Sequence, residues 1–132
     1  SKLGLEGYDY VRTLLKPGIK EREVTAELEY FWKKRGSEGV AFDPIIAFGA
    51  NSAMPHYRAG DAVLKDGDIV LIDIGVTKNH YHSDMTRVVF VGKPDERLKE
   101  IHAVVESSLK ATLSLLRPGT HLKDLDQAAR KV

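Results

Sequence analysis

The sequence predicts an α+β fold in which helices pack on an antiparallel sheet. Three observations carry that prediction. Residues 3–35 contain two segments of helical period separated by Pro17-Gly18. From Gly39 to Gly92 the pattern shortens to extended runs punctuated by glycine, and a helical period returns after Pro94-Asp95.

Taken in order, the first helix is expected from Leu3 to about Leu15, where Pro17-Gly18 stops it. The second runs from about Glu21 to Arg35, with Val24, Leu28 and Phe31 as its buried stripe and Gly36 as a left-handed terminator. Lys33, Lys34 and Arg35 suit the negative end of that helix. Tyr30, Phe31 and Trp32 read as core packing. Three strand regions follow, in AFDPIIAFG, DIVLIDIGV and YHSDMTRVVFV. The polar, glycine-rich stretch GANSAMPHYRAGDAVLKDG lies between the first two, and a connection of that length is more often functional than idle. Asp95 is the expected cap of a third helix, with Leu98, Ile101, Val105, Leu109, Thr112 and Leu116 on its inward face.

Composition excludes several classes. Twenty basic and nineteen acidic residues leave a formal charge of +1, and the two signs are interspersed. Nothing therefore points to nucleic acid or to electrostatic attachment to a membrane. There is no cysteine, which removes disulfides, thiolate metal sites and cysteine nucleophiles. No apolar run approaches a membrane span, and a cytoplasmic setting is expected. The chain opens on Ser1 rather than Met, so a longer natural protein is expected. LLKPGIKEREVTAELE at 14–29 is echoed by LLRPGTHLKDLDQAAR at 115–130, which suggests a duplicated α-β unit.

The segment LIDIGVTKNHYHSDMTR poses the chemical question. With Lys78-Asn79 as a two-residue hairpin turn, Asp73 would stand directly opposite Asp84 on one sheet face. Val70, Ile72, Ile74 and Val76 would fill the other face. Opposed like charges destabilise a sheet, and partial burial adds to the cost. Three readings stay open: a solvated acidic face, a proton-sharing pair, or a divalent metal site. Oxygen donors alone would favour an ion such as Mn²⁺. Ser83 has no histidine and carboxylate arranged to make it a nucleophile. Asn51 and Tyr57 read as loop-shaping groups. His80 reads as turn surface, His82 as a strand residue on the acidic face, and His102 and His121 as helix-associated.

Asp73-Ile74-Gly75, YHSDMTR at 81–87 and FDPIIAFGANSAMPHY at 42–57 together resemble the pita-bread metallopeptidases, in their Xaa-Pro aminopeptidase and Xaa-Pro dipeptidase (prolidase) branch. The resemblance implies a fold of two α-β halves related by pseudo-two-fold symmetry. Residues 1–132 would be the N-terminal half, with 115–132 opening the second. It implies two divalent metal ions, Mn²⁺ first with Co²⁺ or Zn²⁺ as alternatives. Asp73 would be the first ligand, Asp84 the bridging ligand, and His56 a catalytic residue contacting substrate. The His, Glu and Glu that complete the family's ligand set would lie beyond Val132. The intact protein would then hydrolyse an N-terminal Xaa-Pro bond in a peptide or dipeptide, while this fragment alone would be inactive and a homo-oligomer. A non-catalytic protein-binding module is the alternative; a hydrolase acting on a small amidino acid is disfavoured by the retained aspartates.

Overall fold

The computed structural model describes residues 2–132, which divide into two compact units, the first ending at Pro94 and the second spanning Asp95–Val132. In the first unit, α1 (Lys2–Leu14) and α2 (Glu21–Lys34) are joined by the Pro17-Gly18 turn. Glu23 caps α2 by accepting the Lys20 backbone N–H at 2.9 Å. Acids in its first turn and Lys33 and Lys34 in its last complement the helix dipole. The buried stripe is Val24, Leu28 and Trp32. Phe31 is only partly buried, stacked on Tyr10 with centroids 4.4 Å apart. Tyr30 is exposed, so the aromatic triplet contributes one full core residue.

Among the described residues, six strands form two antiparallel sheets of three: β1 (Gly39–Val40), β4 (Val76–Lys78) and β5 (Tyr81–His82) in one, and β2 (Ile45–Phe48), β3 (Ile69–Ile74) and β6 (Met85–Phe90) in the other. β3 and β6 are the central and an outer strand of the second sheet. Alternation along β3 buries Val70, Ile72 and Ile74, with Val76 continuing the face into β4, as the pattern predicts. These side chains join Val11, Val24, Leu28, Trp32, Ile46, Phe48 and Leu64 in one core. Each such burial is worth roughly 1.5–3 kcal/mol, enough to hold the sheet against α1 and α2.

The hairpin register differs from the expectation. Lys78 pairs with Tyr81 and Thr77 with His82, so the turn is Asn79-His80. Both have positive φ, 51° and 63°, the requirement of the two-residue turn whose twist matches its strands. His80 is held there by Glu38, whose carboxylate oxygens lie 3.3 Å from its N–H, with the ring Nδ1 3.4 Å away. The shift carries through β6, where Asp73 pairs with Thr86 and Ile74 with Met85. Asp73 and Asp84 are therefore not directly opposed. A displacement by two residues preserves which face each side chain occupies, since strand side chains alternate with period two.

The second unit contains α3 (Glu96–Leu115) and α4 (Leu122–Arg130). Asp95 caps α3, accepting the Arg97 N–H at 2.6 Å. The predicted inward face of α3 is not realised: no α3 residue is buried, and Ile101, Val105 and Leu109 are exposed. Its bonds to α4 come from small polar residues instead, with Ser108 Oγ donating to the Ala129 carbonyl at 2.9 Å. The sequence echo has a local structural counterpart. Gly18 and Gly119 both take left-handed φ, 102° and 91°. The bonds Ile19 N–H to Lys16 O (3.2 Å) and Glu23 N–H to Lys20 O (3.1 Å) recur as Thr120 to Arg117 (3.1 Å) and Asp124 to His121 (3.0 Å). No helix among the described residues is long and apolar enough to cross a membrane.

Candidate functional site

β3 carries Asp73 on the face opposite its buried valine and isoleucines, so alternation leaves it half-buried. Thr86, its partner on β6, donates its hydroxyl to Asp73 Oδ1 at 2.8 Å. Asp84 sits just before β6, where regular pairing is interrupted. Ser83 makes the interruption: its N–H donates to the Val76 carbonyl at 3.0 Å, but its hydroxyl, not its carbonyl, accepts the Val76 N–H at 3.1 Å. The same hydroxyl lies 3.3 Å from the Val76 carbonyl, so Ser83 is satisfied structurally. Gly75 permits this course, because a Cβ there would collide with the Ser83 carbonyl and the Phe42 ring. Asp84 is thereby released to the exposed edge of the hairpin.

The loop from Gly49 to Gly67 brings the third residue. It begins with a 3₁₀ turn, Gly49–Ala53, and reaches an exposed His56. Its far end runs along the α1–α2 connection, with Leu64 N–H bonded to Ile19 O at 2.8 Å and Gly18 N–H to Leu64 O at 2.9 Å. Asp73, Asp84 and His56 all line one cleft of about 440 Å³, with Phe42, Ile45, Pro55 and Tyr57 as further walls. Asp43 and Arg58 complete the lining and pair at 3.3 Å, an exposed contact of little energetic weight. His82 is engaged elsewhere, its Nδ1 3.0 Å from the Thr77 hydroxyl.

Asp73 and Asp84 are diagonal neighbours across the hairpin, a placement in which Cα atoms stand roughly 7–8 Å apart in a regular sheet. That is wider than direct opposition and lowers their repulsion. Hard oxygen donors of this kind suit divalent cations such as Mn²⁺. Among the described residues, no group of three or more His, Cys, Asp or Glu side chains is gathered to hold a metal ion. Two carboxylates supply only part of the oxygen-donor set that such a cation takes.

Glu21 is fully buried beneath the loop. In the sequence it is only the start of the second helix, while its partners lie 27 to 39 positions away. Asn51 and Tyr57 were expected to shape the loop, and both bond to Glu21. That bond is the main reason the Tyr57 hydroxyl titrates above the ordinary value of 10.0, followed by burial and the charge of Glu21.

A helix-backed antiparallel sheet presenting two aspartates and a loop histidine to one cleft defines a pita-bread, creatinase/aminopeptidase-like half-domain. Solved structures share it: an X-Pro aminopeptidase from Thermotoga maritima, TM-score 0.92 at 38% identity, over 98% of this chain and 37% of that one. The prolidase from Pyrococcus furiosus superposes with TM-score 0.89 at 41% identity, over 96% of this chain and 37% of that one. The chain belongs to metallopeptidase family M24, which it matches across residues 1–132. In sequence it is 45% identical over 115 residues to an Xaa-Pro dipeptidase of Pyrococcus furiosus, covering 87% of this chain and 33% of that protein. It is 36% identical over 130 residues to an uncharacterised peptidase of Bacillus subtilis, covering 98% of this chain and 37% of that protein. The chain thus spans about a third of the length of the curated relatives it matches.

Proposed function

We propose that the chain is the first half of the catalytic domain of an Xaa-Pro aminopeptidase or dipeptidase, with residues 115–132 opening the second half. The observation that carries this reading is the convergence of Asp73, Asp84 and His56 on one cleft. Relatives named as Xaa-Pro dipeptidase support the substrate class, and the Pro-Gly echo supports the two-half architecture. Asp73 and Asp84 would hold divalent cations, Mn²⁺ in the first instance and Co²⁺ or Zn²⁺ as alternatives. Such ions, when bound, acidify water and polarise a carbonyl.

This chain's own residues would do the rest. Thr86 fixes one oxygen of Asp73 and leaves the other for a cation. His56 would hold the substrate carbonyl by donating a ring N–H. Phe42, Ile45 and Pro55 give the cleft an apolar wall suited to a pyrrolidine ring, which offers no N–H of its own to bond. Two carboxylates are too few to complete a metal pair, so the chain alone is expected to be inactive. A cytoplasmic setting is in keeping with the absence of cysteine.

The test is Mn²⁺ binding by calorimetry on the chain and on Asp73→Asn and Asp84→Asn, with hydrolysis of an Xaa-Pro dipeptide and a longer Xaa-Pro peptide as a second readout. Weak Mn²⁺ binding lost in either variant supports the reading. Unchanged binding in both overturns the ligand assignment, and robust hydrolysis by the chain alone, abolished by Asp84→Asn, overturns the half-domain reading.

A further inference from the structure

We infer that Glu21 is a positioning residue for His56, because its carboxylate closes the intervening loop at both feet and thereby sets where the histidine stands beside Asp73 and Asp84. The inference rests on the reading of that cleft given above, but its physical basis is separate. Glu21 is wholly inaccessible to solvent. Its Oε1 accepts the Phe48 N–H at 2.8 Å and the Asn51 amide at 3.0 Å. Its Oε2 accepts the Tyr57 hydroxyl at 2.6 Å and the Gly60 N–H at 3.0 Å. Asn51 also donates to the Tyr57 oxygen at 2.7 Å, tying two of those donors to each other.

A buried carboxylate is costly unless its oxygens are satisfied. Here four donors satisfy it, and their origin is informative. Phe48 ends β2 and Gly60 follows the stretch that carries His56, so one side chain draws the two flanks of residues 49–59 together, as in a compact Ω-loop. Asn51 fixes the 3₁₀ turn, and Tyr57 is the neighbour of His56. Glu21 itself is anchored. It is the first residue of α2, its N–H donates to the Ala62 carbonyl at 3.1 Å, and the next N–H donates to Gly60 O at 3.1 Å. The backbone bonds at residues 60–64 hold the far end of the connection but do not reach residues 49–57. Between the end of β2 and Gly60, this carboxylate is the buried tie to the rigid core; the exposed Arg58–Asp43 pair at 3.3 Å is a second, weaker one.

The experiment compares the chain with Glu21→Gln and Tyr57→Phe by NMR and amide hydrogen exchange, without metal. Glu21→Gln keeps the shape but turns an NH₂ toward groups that also donate. The expected result is exchange at Phe48 and Gly60 faster by about tenfold or more, the loss of a buried acceptor. His56 ring resonances should move toward those of an unstructured histidine, while β3 and β6 amides stay protected. Tyr57→Phe removes one bond of the four, so a smaller His56 displacement in the same direction is expected. Unmoved His56 resonances in a folded Glu21→Gln chain would overturn the inference. If that variant does not fold, unmoved resonances in Tyr57→Phe do so. Mn²⁺ is added last to the wild-type chain, where absence of broadening at Asp73 and Asp84 overturns the metal reading and leaves the His56 result standing.

Discussion

The Thr86 hydroxyl donates to Asp73 Oδ1 across 2.8 Å, occupying the position directly opposite Asp73 in the β3–β6 ladder. A neutral donor thus faces the half-buried carboxylate, and the second acid is set two residues along. The arrangement supports one anion by hydrogen bonding while keeping both on the cleft.

Thr86→Val preserves shape and removes that bond. Groups that orient metal-binding side chains typically contribute 10–100-fold to affinity, so Mn²⁺ binding should weaken by about tenfold. Calorimetry checks this, and equal affinities would show that the hydroxyl serves the sheet alone. In the metal-free chain, Asp84→Asn should raise stability by a few tenths of a kcal/mol through relief of like-charge repulsion, read by urea unfolding.

Gly75→Ala should be the most damaging small change near the site. The added methyl meets the Ser83 backbone, which cannot step aside as a flexible side chain could. Overpacking of this kind costs about 1–3 kcal/mol. Denaturant unfolding should show that loss with an unchanged slope, and a wild-type midpoint would mean that the strands part more easily than the packing indicates.

Alkaline pH should weaken the fold through Tyr57. Its hydroxyl titrates above 10.0 in the folded chain because it donates to Glu21. Between the unfolded and folded values the native state binds the extra proton, so stability falls as pH rises. The contribution is fully present below pH 10 and lost as pH passes through the folded value. Thermal melts from pH 8 to pH 11 should show a decline that is smaller in Tyr57→Phe. Tyr10, raised chiefly by its bond to Glu27, adds a decline of the same sign.

The chain by itself should associate. Ile101, Val104, Val105, Leu109 and Leu113 are all exposed at helical spacing along α3, and exposed apolar surface of this kind favours association. Sedimentation across a wide concentration range should reveal a concentration-dependent homo-oligomer that Val105→Glu with Leu109→Glu disperses. A strictly monomeric wild-type chain would rule this out.

Helix α1, helix α2 and the greasy face of β3 were legible because their periods repeat within a few residues, and local chemistry suffices to generate them. The choice of Trp32 over Phe31 for the core was not, since adjacent aromatics on one helix differ only in which neighbour they meet; Trp32 meets the Leu3 carbonyl at 3.0 Å. The hairpin turn was misplaced by one position at each boundary, because Asn79 permits positive φ in either register and Glu38, 42 residues from His80, settles which.

What the sequence determined alone is therefore the face on which the two aspartates lie, a consequence of strand parity that no slip of two residues can alter. Tertiary structure decided their partners and spacing, the interruption at Ser83, and the anchoring of the histidine loop on Glu21. Each of those depends on bonds between residues far apart in the chain. Such bonds are selected by which donors and acceptors folding buries together, and periodicity carries no record of that.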